Sequence, residues 1–314
     1  MTADSPALAP GTLATRAALA SVAVALLLLL LKSHAAWATG SVAMLRSLAD
    51  TQLDLVASLV TLFGVRIAAA PADRDHRFGH GKAEALAALF QVVLIAVSAA
   101  AILWRAIERL ADNQVTTAAG EGILVSGIAI AATLALLVYQ RHVIARTGSV
   151  AIQTDHVHYQ SDLLLNLSVI AALALEQYLQ LAGADALFGI AIALWLAWGA
   201  WKASSRAIDQ LMDKEWPEEK RARFVEVAAR HPELRGLHDL RTRTSGSRDF
   251  VQFHVWMDPA MSVADAHRVI EEVEGKLETE FPGAEILIHI DPVGQIDHPG
   301  NPLIETDLTK GKTE

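Results

Sequence analysis

The chain has no cysteine among its 314 residues. Disulfides, thiolate metal centres and cysteine nucleophiles are therefore excluded. Positive charge is also scarce. Lys and Arg number 26 against 35 Asp and Glu, a formal net charge of −9. With no basic domain or stripe, the electrostatic footprint of a nucleic-acid-binding protein is missing. No His-Glu-x-x-His pattern occurs, so the helix motif of zinc hydrolases is absent. What is abundant is apolar: 53% of residues are hydrophobic and mean hydropathy is positive. That composition fits several membrane spans joined to a polar domain.

Six apolar segments are read as transmembrane helices, over 11–31, 41–70, 83–110, 122–139, 149–179 and 184–201. Ala36-Trp37-Ala38 resembles a signal-peptide cleavage site. The first segment is nevertheless long enough to span, and further spans follow, so it is read as a retained helix. The expected organisation is a tail over 1–10, a six-helix transmembrane domain over 11–208, a cytoplasmic metal-binding domain over 209–295, and a disordered tail over 296–314. An even number of spans puts both termini on one side. Arg66, Arg74, Arg77, Lys82, Arg141, Arg146, Lys202 and Arg206 lie on the same side as the termini, whereas Lys32, Arg105 and Arg109 lie on the other. The positive-inside rule makes the termini cytoplasmic, in a multi-pass membrane protein in contact with lipid.

The polar C-terminal region reads as helix, strand, strand, helix, strand. Pro217-Glu-Glu opens a helix to about Arg230, with Pro and acidic residues suited to a first turn. Alternation marks strands over 237–243, 250–256 and 284–290, with a turn over 244–247. Ser262 is placed to cap a second helix. This αββαβ order predicts a small ferredoxin-like α+β sandwich.

The chemistry begins inside the second span, where Asp50 and Asp54 stand four residues apart. On a helix they share one face, about 6 Å apart along the axis. An Asp near the middle of a bilayer costs roughly 2.5–3.5 kcal/mol on insertion scales, and two like charges side by side cost more. Either a cation visits this face or the carboxylates carry protons. The fifth span repeats the spacing with His158 and Asp162. Together the four side chains make an N/O donor set suited to tetrahedral Zn²⁺ and open to Fe²⁺, Co²⁺ or Cd²⁺. Mg²⁺ prefers oxygens and water, so the imidazole argues against it. A second constellation, Asp73, His76 and His80, lies within eight residues of a polar loop. On pattern alone, a solvated loop and a metal site explain it equally well. A third, His238, His254, His267, His289 and Asp291, is gathered in the C-terminal domain. There His289 and Asp291, two residues apart on an extended strand, share a face.

The runs Ser47-Leu-Ala-Asp-Thr-Gln-Leu-Asp, Pro71-Ala-Asp-Arg-Asp-His-Arg-Phe-Gly-His-Gly-Lys-Ala-Glu84 and His158-Tyr-Gln-Ser-Asp resemble the cation diffusion facilitator family, in its bacterial zinc/iron branch. The resemblance implies a homodimeric, proton-coupled exporter of divalent metal in the bacterial inner membrane, with a metallochaperone-like cytoplasmic domain contributing to the dimer. It implies a transport site of Asp50, Asp54, His158 and Asp162, and a loop site of Asp73, His76 and His80. It implies a binuclear cytoplasmic site of His238, His254, His267, His289 and Asp291. Lys82 and Asp213 match positions that the family pairs as an ion bridge near the dimer hinge. Ile290 departs from the pattern, standing where a polar residue is found between the last two ligands.

Metal binding needs neutral His158 and ionised carboxylates, so metal and protons compete for one site. Alternating access would turn that competition into exchange. Three other readings use part of the same sequence: a metal sensor on a membrane anchor, a metal-dependent membrane hydrolase, and a cation or proton channel.

Overall fold

The computed structural model describes residues 10–39, 42–112, 123–179, 184–295 and 307–309. Residues 1–9, 40–41, 113–122, 180–183, 296–306 and 310–314 lie outside the described residues. Within the expected disordered tail over 296–314, the described Leu308 packs against the core of the second unit, its N–H donating to the Leu237 carbonyl at 2.7 Å. The chain divides between Ile208 and Asp209 into two compact units.

The first unit is built from six long helices: α1 (Pro10–Thr39), α2 (Val42–Ala68), α3 (Ala83–Asp112), α4 (Ile123–Thr147), α5 (Val150–Leu179) and α6 (Ala184–Leu211). Among the described residues, five of these helices are long and apolar enough to cross a membrane, and α5 carries Asp155, His156, His158, Gln160 and Asp162 within eight residues. The helices bury small residues and turn large ones outward. Ala14, Ala17 and Ala18 of α1 pack with Leu62 and Val65 of α2 and Val143 of α4, while Leu30, Phe63, Val97 and Val138 are exposed. Such an apolar exterior suits a lipid solvent, in which close packing of small residues holds helices together. At Gly64 a Cβ would stand 2.3 Å from the Ala87 Cβ, so only glycine lets α2 and α3 approach this closely.

Three helix ends differ from the sequence expectation. α1 continues eight residues past Leu31 to Thr39, α4 continues through Gln140–Arg146 to Thr147, and α6 runs on past Trp201 to Leu211. Hydropathy marks where a chain leaves an apolar environment. Backbone hydrogen bonding continues beyond that point wherever nothing in the sequence stops it. Lys32 is therefore a helical residue within α1 rather than a loop charge.

The second unit contains α7 (Glu218–Ala228), β1 (Arg235–Ser245), β2 (Arg248–Met257), α8 (Val263–Glu280) and β3 (Ala284–Pro292). The sheet order is β1-β2-β3, with β1 and β2 antiparallel and β2 and β3 parallel. A two-residue turn closes the hairpin, with Gly246 at φ +61°, the backbone that a tight strand connection requires at its first central position. The parallel pair needs a crossover, and α8 supplies it. Ser262 caps α8 as expected, its Oγ accepting from the Asp265 N–H at 3.1 Å. Phe224 of α7 is fully buried and meets Phe253 edge-on at a centroid separation of 5.6 Å. Ile290, the departure from the family pattern, packs against this same core. Its apolar side chain is thus accounted for by packing.

Replacing Phe224 with Ala is expected to cost the second unit about 3–5 kcal/mol, the usual range for a fully buried phenylalanine. Urea unfolding of residues 209–314, followed by Trp216 and Trp256 fluorescence, measures it.

Candidate metal centres

In the first unit, α2 packs against α5 and brings both halves of the expected transport set to one cavity of about 500 Å³. His158 Nε2 lies 3.1 Å from Asp54 Oδ1 and 3.9 Å from Asp162 Oδ2. Asp54, His158 and Asp162 form a three-residue group able to hold a metal ion. Asp50, one turn away on α2, lines the same cavity but stands outside that tight group. His158 is 8% exposed, which leaves the carboxylates as its main polar surroundings. Lys32 of α1 also lines this cavity, and its Nζ donates to Thr51 Oγ1 at 2.7 Å.

Next to this site is a polar knot that sequence reading missed. Asp155 is completely buried. Its Oδ2 accepts from Ser21 Oγ at 2.6 Å and from Gln140 Nε2 at 2.7 Å, and its Oδ1 from Gln91 Nε2 at 2.9 Å. One carboxylate on α5 thus ties together α1, α3 and α4. Tyr159, the next residue but three, donates to the Ser21 carbonyl at 3.0 Å and meets Ser58 Oγ at 2.9 Å, which adds α2. Hydrogen bonds to a charged group contribute roughly 1.5–3 kcal/mol each, so the knot fixes the rotation of α5 and hence the direction of His158. The sequence signal was a polar residue in each of several apolar spans: Ser21, Gln91, Gln140 and Asp155. Another missed contact is that of Glu84. Its buried carboxylate accepts from Ser149 Oγ at the start of α5, where a helix N-terminus favours negative charge.

The loop between α2 and α3 also gathers its expected residues. Asp73, His76 and His80 form a second possible metal-holding group. His76 Nδ1 and His80 Nε2 each lie 3.3 Å from an Asp73 oxygen. The backbone N–H groups of His76 and Asp75 donate to Asp73 Oδ1 and hold its carboxyl below the ordinary value of 3.8. A depressed carboxyl stays ionised as pH falls, and its contribution is lost only below 3.8.

In the second unit the strand register explains the histidine cluster. His238 of β1 is opposite His254 of β2, and His254 is opposite His289 of β3. Three imidazoles thus form a row across the sheet, with ring centroids 5.4 Å and 4.5 Å apart. Asp291 completes the group: its Oδ2 is 2.8 Å from His254 Nδ1 and 3.4 Å from His238 Nε2, and its Oδ1 is 3.5 Å from His289 Nε2. His238 Nδ1 is bonded to the Gly236 carbonyl at 2.7 Å, which turns Nε2 toward Asp291. That Nε2 is buried and, despite the short separation, has no hydrogen bond. A buried lone pair facing a carboxylate fits a cation between them. Gly236 is held by two constraints, φ +63° and a Trp256 ring atom 2.1 Å from any added Cβ. His267 is not brought to this group. It is exposed on α8, with Nε2 3.9 Å from Glu271 Oε2. Asp213, expected to pair with Lys82, accepts from Arg243 Nη1 at 3.3 Å inside its own unit.

Asp291→Ala is expected to remove a tight Zn²⁺ equivalent from the purified chain, whereas His267→Ala retains it. Zn²⁺ titration calorimetry of the two variants distinguishes them. Equal loss from both would show that the row of three histidines with Asp291 does not hold an ion without α8.

Residues 18–212 match the family model for the cation efflux transmembrane domain, and residues 216–293 match that for the cation efflux protein, cytoplasmic domain. The chain is 42% identical over 296 residues to the cation-efflux pump FieF of Cronobacter sakazakii, covering 92% of this chain and 98% of that protein. It is 40% identical over 290 residues to the FieF of an Escherichia coli O127:H6 strain, covering 92% and 96%. Among solved structures it is similar to the metal-bound C-terminal domain of the CzcD transporter from Thermotoga maritima. That match has 24% identity and a TM-score of 0.24, over 26% of this chain and 99% of that one. With its two units matched in succession, the chain belongs to the cation efflux, or cation diffusion facilitator, family, as a multi-pass membrane transporter of divalent metal ions and not an enzyme.

Proposed function

We propose that the protein exports divalent transition metal from the cytoplasm in exchange for protons. Zn²⁺ is the preferred cargo on ligand chemistry, and the same donors accept Fe²⁺ and Cd²⁺. The observation that carries this reading is His158 Nε2 placed between the carboxylates of Asp54 and Asp162 at the wall of a cavity. One imidazole and several carboxylates are a Zn²⁺-type donor set, and the same atoms are proton acceptors.

The exchange follows from that double role. When the cavity faces the cytoplasm, metal takes the place of protons on His158, Asp54 and Asp162, with Asp50 as the fourth donor. When it faces outward, protons driven by the gradient take the place of the metal. The two states differ by a tilt of the helices that carry the donors. In this reading both termini are cytoplasmic. The chain works as a homodimer in the bacterial inner membrane, joined through its cytoplasmic domain and its transmembrane region. His238, His254 and Asp291, with His289 beside them, hold structural Zn²⁺, and Asp73, His76 and His80 hold a further ion.

The supporting experiment is Zn²⁺ flux into proteoliposomes under an imposed pH gradient. Flux is expected to rise with the gradient and to fall to the protein-free level in Asp54→Ala, whose cytoplasmic cluster still binds Zn²⁺. Flux that ignored collapse of the gradient would remove the antiport claim.

A further inference from the structure

The charge at the transport cavity is uneven. Asp50, Asp54 and Asp162 supply three carboxylates, and His158 is a ligand only when neutral. Lys32 lines the same cavity, although the hydropathy pattern places it at the boundary of the first span. Among the described residues, no salt bridge joins its ammonium to a carboxylate. It donates to Thr51 Oγ1 at 2.7 Å, and Thr51 is buried, its own hydroxyl donating to the Ser47 carbonyl at 3.1 Å. That backbone bond orients the Thr51 lone pair toward the lysine. Thr51 lies on α2 between Asp50 and Asp54, so the ammonium is held on the helix that carries two of the donors. Arg105 also lines the cavity, but its side chain is exposed to solvent.

We infer that Lys32 is a tethered counter-cation that sets the charge and the affinity of the transport site. This rests on the transport reading given above. Asp54 and Asp162 are half-buried, whereas Asp50 and Arg105 are exposed, so Lys32 is the half-buried cation on this cavity wall. Without it the site would be one unit more negative, and would bind a divalent ion more tightly and release it more slowly. Half-buried carboxylates with no cation nearby would also be costly between transport events. A tethered ammonium lowers that cost without occupying the ligand positions, because Thr51 holds it to one side. Lysine suits this role as a compact point charge on a flexible stem. Lys32 thus tunes the charge of the site. It does not ligate the metal.

The test uses the full chain carrying Asp73→Ala and Asp291→Ala, which silences the loop and cytoplasmic clusters, in detergent micelles titrated with Zn²⁺ and in proteoliposomes. Lys32→Met is expected to tighten Zn²⁺ binding at least about tenfold, the scale of removing one solvent-screened unit charge from the cavity wall, and to lower turnover with a lower KM. Lys32→Arg is expected to stay near the parent in both. Thr51→Val frees the ammonium to pair with the carboxylates, and is expected to weaken Zn²⁺ binding a few-fold. These opposite signs separate the proposal from misfolding, which weakens binding in every variant. Unchanged or weaker binding in Lys32→Met overturns the inference. So does equal tightening in Arg105→Gln, which would assign the effect to the general field of the cavity mouth. Asp54→Ala in the same background serves as the blank. If it still binds and transports, the transport reading itself fails; if it loses both while Lys32→Met changes nothing, only the role of Lys32 fails.

Discussion

Everything in the transmembrane unit depends on keeping ionisable groups inside an apolar bundle. Asp50, Asp54, His158 and Asp162 line a single cavity, in a unit whose outward faces are apolar. Such groups are expensive in lipid unless they face one another or a water-filled space. The helix arrangement meets that condition. α2 and α5 present their polar faces to each other, and large apolar residues turn outward. The helix α5 meets both demands at once: it carries a metal-type face and a structural carboxylate, while Leu164, Leu167 and Ile170 are exposed as apolar surface.

Two kinds of buried polar group therefore coexist, and they behave differently. Asp155 accepts hydrogen bonds from Ser21, Gln91 and Gln140, so its oxygens are committed to donors from three helices. Asp54 and Asp162 instead converge on a single imidazole nitrogen, a geometry that a cation or a proton can enter. The first arrangement fixes helices; the second leaves room for exchange. A similar division holds in the cytoplasmic unit. Ile290 serves the core, while its neighbours His289 and Asp291 face the histidine row.

Much of this was legible in the sequence, because the information was local. Two i,i+4 pairs in apolar segments singled out Asp50, Asp54, His158 and Asp162, which line one cavity. The αββαβ order and the Ser262 cap announced the second unit, whose register then placed His238, His254 and His289 side by side. What was not legible needed tertiary knowledge. The Asp155 knot joins residues as far apart as Ser21 and Asp155, and no spacing rule links them. The side-chain directions that separate His267 from the histidine row cannot be read from residue type. Helix ends were misplaced because hydropathy reports the surrounding medium and not the backbone. The cost of that error was largest at Lys32, which was counted as a loop charge and proved to line the cavity.

The central claim is that one set of atoms serves metal and protons in turn. The most direct measurement is the number of protons released per Zn²⁺ bound, taken by weakly buffered titration of the full chain at several pH values and compared with Asp54→Ala. The account predicts that the chain releases protons on binding, more as pH falls and the donors become protonated, and that Asp54→Ala loses this release. Zn²⁺ bound at the transport site with the same proton count in both proteins would contradict it.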